Sequence, residues 1–182
     1  MKIYAIRHSS VNVKPGICYG QTDVDVAETF HEEQKRLLQD IEQVSFDAVW
    51  SSPLLRCRKL AESLFPDEEI HFDPRFKELN FGDWEMLPWD EIYAQAEGKT
   101  WMDNYQTLPT KNGESYPEMV ARVSATINEI RNLNAENIAI VAHAGVIRIL
   151  KSVFENVPIS QLFENFKPAY ASVTVFEIDK HE

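Results

Sequence analysis

The sequence has no apolar run near the roughly 20 residues that cross a bilayer. Its first apolar stretch spans only residues 3–6 before Arg7, too short for the core of a secretory signal. Only two cysteines are present, Cys18 and Cys57, which make neither a disulfide framework nor a Cys-x-x-Cys metal or redox motif. Together these absences point to a cytoplasmic protein. The net charge of −11 removes the basic footprint that nucleic acids and anionic membranes require, so neither is expected as a partner. Any anionic ligand would approach against that field, and a local cluster of cations would have to reverse it inside a cleft. The arginines therefore carry most of the information. There is no internal repeat, low-complexity tract or linker, and residues 1–182 read as a single domain of ordinary globular composition.

Two short, continuous apolar runs frame the chain, residues 3–6 and 138–142, as expected of strands buried on both faces of a parallel sheet. Residues 46–50 and the β-branched stretch 171–178 read as further strands. Helical spacing of apolar positions occurs over residues 26–44, 54–65, 117–133 and 146–154. Strands alternating with helices imply an α/β chain, a three-layer α/β/α sandwich around a mostly parallel sheet. Residues 73–115 break the alternation. Phe76, Phe81, Trp84, Trp89, Tyr93, Trp101 and Tyr105 fall there among prolines, glycines and acids. This stretch reads as an excursion with short helices around residues 89–96. Excursions of this length are often lids or binding surfaces, although packing onto the body would already occupy most of these aromatics.

Of the five histidines, His31, His71 and His181 read as structural or surface residues, whereas His8 and His143 each directly follow a buried apolar run. The carboxyl ends of parallel strands are where open α/β sheets place ligands. The two imidazoles would meet there if their strands are neighbours. A metal centre would need further ligands, and no His-x-x-x-His or cysteine motif supplies them. A serine nucleophile would need a Gly-x-Ser-x-Gly elbow, which is absent. Arg56 follows a strand, with Pro53 suited to the first turn of a helix whose N-terminus could hold an anion. Arg58 points about 200° away from Arg56 around such a helix, and so cannot serve the same pocket equally. Glu78, beside a glycine turn and aromatics, has surroundings that suit a proton donor.

These pieces fall into one ordered pattern: Arg7-His8-Ser9, Ser52 to Arg56, Glu78 to Glu85, Gly113-Glu114-Ser115 and His143-Ala144-Gly145. In that order they resemble the motifs of the histidine phosphatase, or phosphoglycerate mutase-like, superfamily over residues 3 to about 150. The resemblance implies that His8 attacks phosphorus and that Glu78 exchanges protons with the leaving oxygen and water. Arg7, Arg56, His143 and the backbone N–H of Ala144 would bind the phosphoryl group. It implies no metal and no other cofactor, and a small-molecule phosphate monoester as partner. Finer features resemble the α-ribazole phosphatases of cobalamin biosynthesis: residues 16–23 after the nucleophile, 82–86 and 109–114. Their substrate would be α-ribazole 5′-phosphate, whose flat base could stack on the aromatic excursion. The alternatives are a phosphatase of the same mechanism for another small phosphate, or a phospholigand-binding module without catalysis. Ser9, Ala144 and Met86 stand where the family usually has glycine, and Lys14 where many relatives have asparagine.

Overall fold

The computed structural model describes residues 1–178, so His181 lies outside the described residues. Among these residues five strands form one sheet: β1 (Lys2–Arg7), β2 (Ala48–Ser51), β3 (Ile70–Phe72), β4 (Asn137–Ala142) and β5 (Val173–Glu177), in the order β3-β2-β4-β1-β5. The first four run parallel and β5 is antiparallel to β1. Helix α1 (Phe30–Ile41) links β1 to β2, α2 (Leu55–Leu64) links β2 to β3, and α5 (Tyr116–Arg131) leads into β4. After β4 the chain continues through α6 (Ala144–Glu155) and α7 (Ile159–Asn165) into β5.

The period-two alternation of strand side chains builds the three layers. Ile138, Ile140 and Ala142 of β4 join a core with Val123, Ile127, Ile130, Val146 and Ile149 from α5 and α6. Ala139 and Val141 project to the other face, against Leu37, Ile41, Leu60 and Ala61 of α1 and α2. Buried on both faces, β4 needs an apolar residue at nearly every position, which is why its sequence reads as a run and not an alternation. No helix among the described residues is long and apolar enough to cross a membrane.

Element boundaries depart from the sequence pattern where tertiary pairing intervenes. The stretch expected to be helical from residue 26 begins as extended chain, because Val26 bridges Val11 and the Ala27 N–H donates to Ser10 O. Pro53 lies outside α2, since Leu54 is extended (φ −65°, ψ 140°) and the helix starts at Leu55. Helix α7 is short and buries only Leu162, too little to leave an amphipathic signature.

The excursion holds two single 3₁₀ turns (Pro74–Phe76 and Gly82–Trp84) and two short helices, α3 (Trp89–Ala94) and α4 (Ala96–Asn104), the second running past the expected residues 89–96. The break falls at Gln95, which is extended. It lets α4 fold back so closely on α3 that a Cβ on Gly98 would lie 1.9 Å from Ile92 O. The aromatics mostly pack on one another: Trp84 on Trp101 at 5.4 Å, Phe81 on Trp89 at 5.4 Å, and Phe76 fully buried. Most of this aromatic surface thus cements the excursion to the body.

Candidate active site

Strands β1 and β4 are neighbours in register, with Arg7 opposite Ala142, so the residues that follow them emerge side by side. The His8 and His143 rings lie 5.2 Å apart between centroids, both almost completely buried. His8 Nδ1 lies 2.8 Å from Ser9 O. A carbonyl can only accept, so Nδ1 carries the proton and the lone pair of the neutral ring resides on Nε2. Burial, then the charges of Arg56 and Arg7, hold the His8 pKa well below its ordinary value. The ring is therefore neutral, with an unprotonated Nε2. His143 is also held neutral, by burial and by Arg56. Its Nε2 shares a 2.8 Å hydrogen bond with Ser52 Oγ and lies 3.5 Å from Cys57 Sγ. Burial pushes that thiol up to about 12, so it remains a neutral neighbour.

The two arginines are held at their tips by backbone carbonyls. Arg7 donates through an Nη to Pro168 O at 2.7 Å and stacks on the Tyr170 ring at 3.8 Å. Arg56, completely buried, donates to Gly20 O at 2.6 Å and Thr22 O at 3.1 Å, with its guanidinium over Tyr19. The Nε groups of both are buried and have no partner among the described residues. Two buried donors on charged groups beside a neutral imidazole have the chemistry to hold an anion. The Tyr19 and Tyr170 hydroxyls meet at 2.6 Å, and the Tyr170 ring lies 5.5 Å from that of His8.

One expected contributor is placed elsewhere. The N-terminus of α2 offers no open anion site, because Asp23 Oδ1 accepts the Leu55 N–H at 2.6 Å. Arg58 is exposed and turned toward Phe72, as the helical spacing requires. Lys14 is exposed.

Glu78 reaches the same strand ends from the excursion. Its Oε2 accepts the Gly145 N–H at 3.0 Å, in the first turn of α6, and its Oε1 accepts the Leu79 N–H at 3.0 Å. Ala144 opens the same turn between His143 and Gly145. The contact explains the glycine: a Cβ on Gly145 would stand 2.2 Å from Glu78 Oε1.

Several residues that support this geometry were not identified from the sequence. Arg122 on α5 donates to the carbonyls of Arg75, Lys77 and Glu78 and pairs bidentately with Glu114, pinning the segment that carries Glu78. Glu85 accepts the N–H groups of Gly20, Gln21, Thr22 and Phe81 and the Thr22 hydroxyl, shaping the loop whose carbonyls hold Arg56. Despite opposing burial, those bonds keep the Glu85 carboxyl below its ordinary range. Glu85, Glu114 and Tyr19 stood within recognisable motifs, but Arg122 and Tyr170 left no periodic or motif signal of these roles.

Comparison with known proteins extends these observations. The model of the histidine phosphatase superfamily (branch 1) matches residues 3–182. The adenosylcobalamin/α-ribazole phosphatase of Salmonella typhimurium is 26% identical over 169 residues, covering 90% of this chain and 84% of that protein. Phosphoserine phosphatase 1 of Hydrogenobacter thermophilus is 23% identical over 186 residues, covering 99% and 88%. The crystal structure of the α-ribazole phosphatase from Shigella flexneri superposes with a TM-score of 0.91 at 25% identity, covering 99% of this chain and 92% of that one.

Proposed function

This chain belongs to the histidine phosphatase superfamily, and from that premise we propose that it hydrolyses α-ribazole 5′-phosphate through a phosphohistidine on His8. The observation that carries the mechanism is the His8 Nδ1–H···O=C bond to Ser9, which directs the free lone pair to Nε2. In the first step Nε2 attacks phosphorus, the P–O bond to the leaving group breaks, and the Glu78 carboxylic acid protonates the departing oxygen. In the second, the Glu78 carboxylate takes a proton from water as that water attacks the phosphohistidine, releasing inorganic phosphate and regenerating His8. Arg7, Arg56, His143 and the Ala144 N–H would stabilise the charge on the phosphoryl oxygens in both steps. Glu78 keeps lone-pair capacity for its proton, because each of its oxygens accepts one backbone N–H.

The substrate assignment rests on the two named α-ribazole phosphatases and on the residue pattern 16–23, 82–86 and 109–114. A phosphoserine phosphatase of comparable identity supports the rival reading, another small phosphate monoester hydrolysed by the same groups. Measuring kcat/KM for α-ribazole 5′-phosphate, phosphoserine, 3-phosphoglycerate and 4-nitrophenyl phosphate decides between them. Preference for the first by 10-fold or more is expected, and equal or better use of phosphoserine or phosphoglycerate overturns the assignment.

A further inference from the structure

Arg7 and Arg56 reach the phosphate site from different elements, the end of β1 and the first turn of α2, and each is held by its own loop. The loop of residues 166–172 supplies Pro168 O as the anchor of Arg7 and lays the Tyr170 ring against its guanidinium. The loop of residues 16–23 supplies Gly20 O and Thr22 O to Arg56, with the Tyr19 ring centre 5.3 Å from the guanidinium carbon. Each arginine thus has a carbonyl anchor and a tyrosine from one loop. Among the described residues a single hydrogen bond joins the two loops directly, the 2.6 Å contact between the Tyr19 and Tyr170 hydroxyls.

Electrostatics supplies the reason for such a tie. No carboxylate pairs with either guanidinium among the described residues, and both charges act on the same buried, neutral His8 ring. Like charges around one imidazole repel each other, strongly where water is excluded. In the free protein no anion offsets that repulsion, so the loops must hold the two groups at a fixed separation. The carbonyls fix each arginine to its loop, and the hydroxyl bond fixes loop to loop. A carboxylate could bridge two guanidinium groups, but it would cancel the charge that a phosphoryl group needs. Phenols avoid this. Burial, then the bond to Tyr170, pushes the Tyr19 pKa above its ordinary value, so the tie adds no negative charge.

We propose that the Tyr19–Tyr170 hydroxyl pair sets the separation of the Arg7 and Arg56 guanidinium groups, coupling them into one clamp preorganised for a phosphoryl dianion. The tyrosines are positioning residues, acting through the arginines and not on the substrate. This rests on the phosphatase reading above for the identity of the anion. The test is a double-mutant cycle of Tyr19→Phe, Tyr170→Phe and both together, which keeps the rings and removes only the hydroxyl oxygens. Calorimetry with inorganic phosphate reads the clamp without turnover. Each single variant should weaken phosphate binding by about fivefold, the value of one neutral hydrogen bond. The double variant should be no weaker than the poorer single, because the two hydroxyls act through one bond. The kcat/KM values for 4-nitrophenyl phosphate and an alkyl phosphate should fall by the same factor, since the clamp grips the group they share. A merely structural pair would lower Tm and leave the phosphate dissociation constant within about twofold of the original, which overturns the proposal. Losses that multiply, to above about 10-fold in the double variant, also overturn it, because each hydroxyl would then touch the anion independently. A fall confined to one ester would assign the tyrosines to the leaving group, with the same consequence. If the binding pattern holds but no phosphomonoester is hydrolysed, the clamp stands and the phosphatase reading fails. If hydrolysis through His8 proceeds while phosphate binding is unmoved in all three variants, the reverse holds.

Discussion

Replacing Gly145 by alanine tests the placement of Glu78 without altering any group that titrates. The added methyl would stand 2.2 Å from Glu78 Oε1 and 3.1 Å from Met119 Cε. Methionine is adaptable, but the carboxyl is pinned between the Leu79 and Gly145 N–H groups and must leave its position. Alanine in the first turn of α6 would ordinarily gain up to about 1 kcal/mol over glycine. Overpacking costs about 1–3 kcal/mol, so a net loss near 1 kcal/mol is expected, about 2–4 °C in Tm. The kinetic effect should be larger and should depend on the leaving group. Positioned acid catalysis contributes about 10²–10⁴-fold, and an alkoxide needs that proton far more than a nitrophenolate does. The assay is single-turnover phosphoenzyme formation from an alkyl phosphate and from 4-nitrophenyl phosphate. A loss of about 10²-fold or more on the alkyl ester with a much smaller loss on the nitrophenyl ester is expected. Equal losses on both, or none, would refute the reasoning that the Gly145 contact places the proton donor.

Three further outcomes follow from the same contacts. Glu85→Gln leaves at least two of the N–H groups of residues 20–22 and 81 without an acceptor; about 3–5 kcal/mol should be lost in urea unfolding, and kcat/KM should fall for every phosphomonoester as Arg56 loses its carbonyl anchors. A loss under 1 kcal/mol would remove Glu85 from that role. Met86 has a φ of 68°, in the left-handed region, and the residue is 45% exposed, so Met86→Gly should stabilise by about 1 kcal/mol; destabilisation would contradict the strain. Finally, the unfolded histidines take up protons below about pH 6.5 while folded His8 and His143 resist them, so stability should fall on acidification below that pH. Each histidine contributes up to about 1.4 kcal/mol per pH unit, and His143→Gln should halve their part of the slope measured by urea unfolding at pH 7 and 5.5. An unchanged slope would count against the buried neutral pair.

The legible part of the site was the part carried by chain-local signals. His8 and His143 each end an apolar run, and a run buried on both faces of a sheet announces its own carboxyl end. Arg56, Glu78 and Gly145 sat in short motifs, so their order could be read although their distances could not. Arg122 was hidden because its helix spacing is that of any half-exposed residue on α5; its importance lies in three carbonyls supplied by residues 75–78. Tyr170 follows a seven-residue helix with one buried side chain and sits in a loop, where neither periodicity nor turn chemistry marks it. Asp23 removed an anion site that local sequence promised, since the cap on α2 comes from 32 residues upstream.

The most direct test of the central claim is to quench a single turnover in alkali and locate the phosphoryl group by peptide mass spectrometry. The mechanism requires an acid-labile phosphoryl on His8, bonded through Nε2, absent from His8→Ala and accumulating at the rate of leaving-group release. Release of the leaving group with no phosphoryl on His8, or undiminished turnover in His8→Ala, would contradict it.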